Sequence, residues 1–176
     1  RQRQMCIRDS VQEMLPHIES DALVQKALAS LLPGIPDVYQ GTEWFDDSLV
    51  DPDNRRAVDY TRDDEHPKTR VVRAALTLRR RRPEVFVEGG YEPLSGTGPA
   101  ADHLVAFGRT SAAGVIEVIV VARRWTVGLD ADQWAQTNLD LPTGTWREQI
   151  SGTDVDGTVT LSQLTAPVGI FERVRE

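Results

Sequence analysis

The sequence contains a single cysteine, Cys6, and nothing at its start resembles a secretory signal peptide. One cysteine cannot form an internal disulfide. No apolar run approaches the roughly 20 residues that a membrane-spanning helix needs. The net charge is −7, which argues against nucleic acid as the main partner because phosphate binding needs a basic surface. We therefore expect a cytoplasmic protein with no nucleic-acid partner and no membrane partner.

The chain is also short. Its 176 residues suffice for one medium domain, or for one small domain and part of another. A complete (β/α)8 barrel takes roughly 250 residues and cannot fit. The hydrophobic fraction of 40% and the charged fraction of 27% are ordinary for a globular protein. Composition therefore bounds the size of the fold and leaves its function open.

Residues 1–10 (RQRQMCIRDS) are charged and show no apolar periodicity that would pack into a core. We expect them to be a non-native lead, such as a cloning or assembly artefact, and we set them apart from the fold. The alternative is a genuine helical lead-in of a divergent relative.

A helix followed by a short strand is predicted next. Ser20 and Asp21 suit a helix amino terminus. Apolar side chains recur at helical spacing over residues 23–32, and Pro33-Gly34 ends the pattern. Residues 35–39 form a short apolar run, which predicts a buried strand. A lone parallel strand cannot satisfy its backbone groups, so we expect its neighbours to lie in a longer protein.

A second helix is predicted from the acidic residues 63–65 to Arg82. Pro67 suits the first helical turn, and the acidic side chains suit the positive end of the helix dipole. Apolar residues between Val71 and Leu78 provide a buried face. Arginines occupy positions 79–82, and we expect them to be solvated or paired with the acidic loop that precedes the helix.

Beyond residue 84, short β-rich runs alternate with glycine, proline and aspartate. The run 115–123 is the most apolar and is predicted to be the central strand. The pattern predicts an antiparallel β domain, arranged as a sandwich of two sheets. The predicted strands are His103–Arg109, Val115–Arg123, Thr145–Ile150, Gly157–Leu161 and Val168–Val174.

The loop between the two predicted helices is rich in carboxylate, guanidinium and aromatic side chains. Glu43 closes the predicted strand, and the segment 51–56 reads Asp-Pro-Asp-Asn-Arg-Arg. Such side chains bind sugar hydroxyls through several hydrogen bonds, and Trp44 or Phe45 offers a flat face to a pyranose ring. Barrel enzymes present polar substrate sites at this end of a strand. The loop therefore predicts a carbohydrate site.

The stretch from residue 33 to residue 60 closely resembles the last barrel strand and following loop of the maltooligosyltrehalose synthase family, glucosylmutases related to α-amylase. The matching motifs are PGIPDVYQGTE at 33–43 and SLVDPDNRRxVDY at 48–60. Motifs at 86–94 and 105–109 resemble the β domain of the same family. The resemblance covers the chain from roughly residue 20 to its end.

This resemblance implies an α+β fold. Residues 11–83 would be the last strand and helices of a truncated (β/α)8 barrel, and residues 84–176 an antiparallel β-sandwich domain. The longer protein would convert the reducing-end α-1,4 linkage of maltooligosaccharides into an α,α-1,1 trehalosyl end, without a cofactor.

The family places its catalytic carboxylates on earlier barrel strands. We therefore expect no catalytic residue in this chain, and we expect the chain alone to be inactive. The missing amino-terminal part of the barrel would be its partner. The residues that the resemblance places at the border of the glucan site are Glu43, Asp51, Asp53, Asn54, Arg55 and Arg56.

Several alternatives stay open. The longer protein could be another glucanotransferase or hydrolase of the α-amylase family, or the chain could be a non-catalytic glucan-binding module. The aspartates and arginines of the loop could pair with one another, and Glu43 could anchor loop backbone. The tryptophans of the β domain could stack on sugar, although core or edge positions are favoured; these are Trp125, Trp134 and Trp146.

A metal site is not predicted. Asp51-x-Asp53 begins like a calcium-binding loop, but Arg56 and Arg62 stand where that loop needs glycine and glutamate. The three histidines lie far apart in the sequence and in different predicted elements.

Overall fold

A computed structural model describes residues 2–46, 57–62 and 65–175, with side chains described from residue 7 onward. The first helix, α1, runs from Gln2 to Leu31 and contains Pro16. Ser20 and Asp21 therefore lie inside this helix and do not cap it, which corrects the prediction. The residues before them are mostly good helix formers such as Gln, Met, Arg and Glu, so the helix extends through them. The lead is helical, and its non-native origin stays a prediction.

Residues 35–39 do not form the predicted strand. A strand needs a hydrogen-bonded partner, and the part of the chain that the structure describes offers them none. Side chains of the two long helices bind carbonyl groups here instead. Arg79 Nη2 donates to the carbonyl oxygen of Gly34 at 2.8 Å, and Lys26 Nζ donates to that of Asp37 at 3.2 Å.

The second helix, α2, spans Pro67–Arg81, as predicted. His66 caps its amino end, where the ring Nδ1 accepts a hydrogen bond from the Lys68 backbone N–H at 3.2 Å. A short helix, α3, follows directly at Pro83–Val87. The buried side chains of α2 are Val71, Val72, Ala75 and Leu78, and all except Val72 belong to an apolar cluster shared with α1.

The β region has six strands: β1 Tyr91–Leu94, β2 Leu104–Thr110, β3 Ile116–Arg123, β4 Asn138–Glu148, β5 Asp154–Thr160 and β6 Val168–Arg173. They form one antiparallel sheet in the order β1-β2-β3-β6-β4-β5. The predicted central strand, β3, lies inside this sheet, between β2 and β6. The short helix α4, Ala131–Ala135, separates β3 from β4.

The predicted sandwich of two sheets differs from this arrangement, since all six strands are hydrogen-bonded in one order. Strand β4 explains the continuity because it pairs with β5 along one edge and with β6 along the other. Its pairing with β5 shifts register between Asp140 and Thr145, where Gly144 has a φ of 127°. The antiparallel β region itself is confirmed.

The sheet separates two apolar clusters. Val118, Val120 and Ala122 of β3 belong to the cluster that includes α1, α2 and α3. Ile119 and Val121 belong to the other cluster, with Trp146 and other residues of β4, β5 and α4. Side chains alternate between the faces of a strand, so β3 is buried on both sides. The helices α1, α2 and α3 therefore pack on one face of the sheet.

Candidate functional site

Residues 39–44 are held in place by hydrogen bonds, two of which come from the first turn of α2. The Thr69 hydroxyl donates to the carbonyl oxygen of Glu43 at 3.0 Å, and Lys68 Nζ donates to that of Trp44 at 3.0 Å. The Thr42 hydroxyl donates to the Tyr39 carbonyl oxygen at 2.7 Å and closes a turn. The backbone around Glu43 is thus fixed, while its side chain is only partly buried.

His66 forms the centre of an aromatic group beside Glu43. Its ring stacks on Trp44, with centroids 4.3 Å apart, and meets Phe45 edge-on at 4.7 Å. The guanidinium of Arg62 lies 5.3 Å from the centroid of the Trp44 ring. A cation over an aromatic face is favourable. These contacts therefore connect Trp44 and Phe45, which precede the predicted site residues 51–56, with Arg62 and His66, which follow them.

Two groups near the loop have shifted pKa values. Burial lowers the pKa of the Lys68 amine, and the charge of Lys26 lowers it further, while Asp46 and Glu43 oppose the shift. A side-chain and a backbone hydrogen bond from Thr61 lower the pKa of the Asp59 carboxyl, which is fully exposed. The site therefore combines acidic groups with a lysine that is partly withdrawn from water.

Glu43 is the one predicted site residue that the structure describes. Its carbonyl oxygen accepts a hydrogen bond from Thr69, and its negative charge acts to raise the pKa of Lys68. The other predicted site residues fall outside the described ranges: Asp51, Asp53, Asn54, Arg55 and Arg56. Whether these residues contact substrate or pair with one another stays a prediction.

The sequence did not single out His66, Arg62 or Lys68 as members of this region. His66 precedes Pro67 at the start of a predicted helix, and a polar residue at that position is typical of a helix cap. That signal could have identified its local role. Its stacking on Trp44 joins two residues that are far apart in the sequence, so no local pattern indicates this contact.

A cavity of about 400 Å³ opens next to this segment. Phe45 and Pro67 line it from the loop side, and Glu19 of α1 and Arg123 of β3 line it from the helix and the sheet. The residues that lead into β6, 164–167, complete its wall. Arg123, at the end of β3, and Phe45 therefore lie on the wall of the same cavity.

Of the four arginines at 79–82, which we expected to be solvated or paired with the acidic loop, Arg81 and Arg82 bind carboxylates of the sheet. Arg80 is exposed. Arg82 is buried and donates to Glu84 at 2.9 Å, Glu117 at 2.7 Å and Glu172 at 3.1 Å. Arg81 also pairs with Glu172. Burial acts to lower the pKa of Arg82, but its hydrogen bonds to the three carboxylates outweigh burial and raise it. These charges join α2 to β3 and β6.

The described residues contain no group of three or more His, Cys, Asp or Glu side chains that could hold a metal ion. Among the same residues, no helix is long and apolar enough to cross a membrane. Trp134 and Trp146 are core residues, in agreement with the favoured interpretation of the sequence, while Trp125 is exposed.

No protein-family model matches the chain. A protein assigned as a maltooligosyl trehalose synthase in two strains of Mycobacterium tuberculosis is 47% identical over 166 residues. That alignment covers 91% of this chain and 21% of the mycobacterial protein.

Solved structures give the same result. The maltooligosyltrehalose synthase of Arthrobacter ramosus superimposes with a TM-score of 0.84 and 34% identity, over 97% of this chain and 24% of that enzyme. A debranching enzyme of Nostoc punctiforme shares the fold, with a TM-score of 0.50 and 19% identity over 87% of this chain. The chain is therefore similar, over nearly its whole length, to about a fifth of the maltooligosyltrehalose synthases, and the resemblance predicted from its sequence is confirmed.

Proposed function

We propose that this chain is the carboxy-terminal part of a maltooligosyltrehalose synthase that acts in trehalose biosynthesis. The longer protein would turn the reducing-end α-1,4 linkage of a maltooligosaccharide into an α,α-1,1 linkage. The observation that carries this proposal is the 47% identity over 91% of the chain. The Arthrobacter neighbour, at a TM-score of 0.84, supports it independently through the fold.

The proposed reaction is an intramolecular transglycosylation in two displacements. One carboxylate attacks the anomeric carbon while a second carboxyl group protonates the departing oxygen of the terminal glucose, which stays in the pocket. The anomeric hydroxyl of that glucose then attacks the glycosyl-enzyme and gives its proton to the second carboxylate, and two inversions give net retention. No cofactor takes part. Water must be excluded from the pocket, because otherwise hydrolysis of the intermediate competes.

Within this scheme the chain supplies the border of the glucan site and none of the catalytic carboxylates. We assign substrate contact to Glu43, Asp51, Asp53, Asn54, Arg55 and Arg56. Support comes from chemistry and from position. Carboxylate, amide and guanidinium groups together bind sugar hydroxyls, and Glu43 is held on fixed backbone beside the aromatic group of Trp44 and His66.

Residues 11–83 would complete a (β/α)8 barrel in the longer protein. Several large apolar side chains in this region are exposed, among them Ile35 at 98%, Tyr60 at 85% and Tyr39 at 47%. A barrel of which these residues are one part would cover them, since burying apolar surface contributes about 25 cal/mol per Å². Residues 84–176 would form the following β domain, and the longer protein would be cytoplasmic.

The longer protein, incubated with maltopentaose, tests this proposal. We expect the reducing ends to disappear while the carbohydrate mass stays constant, and we expect the NMR signals of an α,α-1,1 linkage. This chain alone should give no product. Release of glucose and shorter maltooligosaccharides would indicate a hydrolase, and longer α-1,4 chains would indicate a glucanotransferase; either result would overturn the proposal.

A further inference from the structure

Trp125 stands apart from the other tryptophans of the β region. Trp134 and Trp146 are 8% and 0% exposed, whereas Trp125 is 66% exposed. Its φ is 51°, and it is the one non-glycine residue with a positive φ in the described part of the chain. It lies two residues beyond the end of β3, in the turn that leads to α4.

This conformation is unfavourable for tryptophan. The left-handed region costs a non-glycine residue about 1 kcal/mol or more, and glycine or asparagine would occupy it more easily. Burial of the indole does not offset that cost, because the ring is largely in water. Glycine or asparagine would meet the backbone requirement at this position with less strain, so an exposed tryptophan here points to a role for its ring.

The surroundings hold Trp125 in place. The His103 ring Nδ1 lies 3.0 Å from the Trp125 carbonyl oxygen. The guanidinium of Arg124 lies 4.1 Å from the centroid of the indole and covers one face of the ring. Arg124 is fixed in turn, since its Nε and Nη2 donate to the Asp102 carbonyl oxygen at 3.3 and 3.1 Å. With one face covered and 66% of the residue exposed, the open surface includes the opposite face.

We propose that Trp125 is a stacking platform for an α-1,4-linked glucan chain, separate from the loop at residues 43–56. The open indole face matches the apolar face of a glucose ring, and the carboxylate of Asp102, an exposed residue, is an acceptor for sugar hydroxyl groups. The identity of the ligand rests on the function proposed above.

The position of Trp125 fits a long substrate. Arg123, two residues earlier, lines the 400 Å³ cavity that Phe45 also lines. The Thr126 hydroxyl lies 2.6 Å from His17 Nδ1, which joins the turn to α1 beside the same cavity. Trp125 therefore lies two residues from the wall of this cavity, and the platform would bind sugar units away from the reacting end.

Maltoheptaose binding to this chain tests the platform by isothermal titration calorimetry, with cellohexaose as the β-linked control ligand. Trp125→Asn removes the ring and tolerates the left-handed backbone. We expect affinity for maltoheptaose to fall at least about tenfold. Trp125→Phe keeps an aromatic face and should retain most of the affinity.

Val127→Asn is the matched control, because Val127 is 58% exposed in the same turn. It should leave maltoheptaose affinity unchanged, and circular dichroism should show the same fold in all variants. Unchanged affinity in Trp125→Asn, equal loss in Val127→Asn, or no maltoheptaose binding by the unaltered chain would each overturn the platform. The mutase assay of the longer protein reports on the proposed function separately and would be unaffected by such a failure.

Discussion

The helical region, which contains α1 and α2, and the β region, which contains the six strands, bury their apolar residues very differently. Strand β3 is buried on both faces of the sheet, and its residues 118–122 are fully inaccessible. Among its described side chains, helix α1 buries apolar residues only in its last turns, from Leu23 to Leu31, while Ile7 and Ile18 are 61% and 55% exposed. One face of the β region makes a core of its own and the other shares a core with the helices, whereas the exposed part of the helical region is a surface that the proposed barrel would cover.

The largest expected effect of a single substitution lies in the core of the β region. Trp146 is fully buried, and its Nε1 donates to the Pro142 carbonyl oxygen at 2.8 Å. Trp146→Ala should lower the free energy of unfolding by about 3–5 kcal/mol because it opens a large cavity. Ile18→Ala on the exposed part of α1 should change it by about 0.5 kcal/mol or less. Urea denaturation measures both, and equal losses would contradict the contrast between the regions.

The next largest effect is expected at the junction of the two regions. Arg82→Gln leaves Glu117 and Glu172 without their buried partner, and their side chains are only 12% and 14% exposed. We expect the free energy of unfolding to fall by about 3 kcal/mol, as for other broken buried ion pairs. Arg80→Gln on the same helix is the control, since Arg80 is exposed. If thermal denaturation gives both variants the same stability, Arg82 does not join the regions.

The sequence predicted an element well where the signal for it is local in the chain, and poorly where the element depends on contacts between distant residues. Helix α2 and strands β2, β3 and β6 were predicted to within one or two residues because periodicity is a local signal. Strand β1 contains Pro93 at the edge of the sheet, and α4 has five residues, so both gave weak patterns. The run 35–39 does not form a strand here, since a strand needs hydrogen-bonded partners and the described residues offer it none.

The candidate site shows the same limit. The motif at residues 33–60 identified the family resemblance and drew attention to Glu43. The contacts of Glu43 with α2 and the stacking of His66 on Trp44 depend on how the chain folds back. Arg82 binds Glu172, 90 residues away, and the sequence suggested a nearer acidic partner. Long-range pairing of charges cannot be read from local spacing.

The smallest expected effect is at an exposed ion pair of the β region. A hydrogen bond from Arg147 lowers the pKa of the Asp154 carboxyl below its ordinary value of 3.8. The folded pKa lies below the unfolded one, so this pair stabilises the fold above the unfolded pKa. The contribution is lost as the pH falls through the folded pKa. NMR titration should show Asp154 ionising below 3.8 and, in Arg147→Gln, close to it; identical midpoints would refute the pairing.

Hydrogen exchange of the longer protein, compared with this chain, tests most directly whether the helical region is part of a larger barrel. We predict that amides in residues 10–18 and 35–46 exchange at least about tenfold more slowly in the longer protein, because the barrel covers them. Amides of β3 should exchange at the same rate in both. Equal exchange of the helical region in the two proteins would contradict the account, since it would mean that nothing covers this surface.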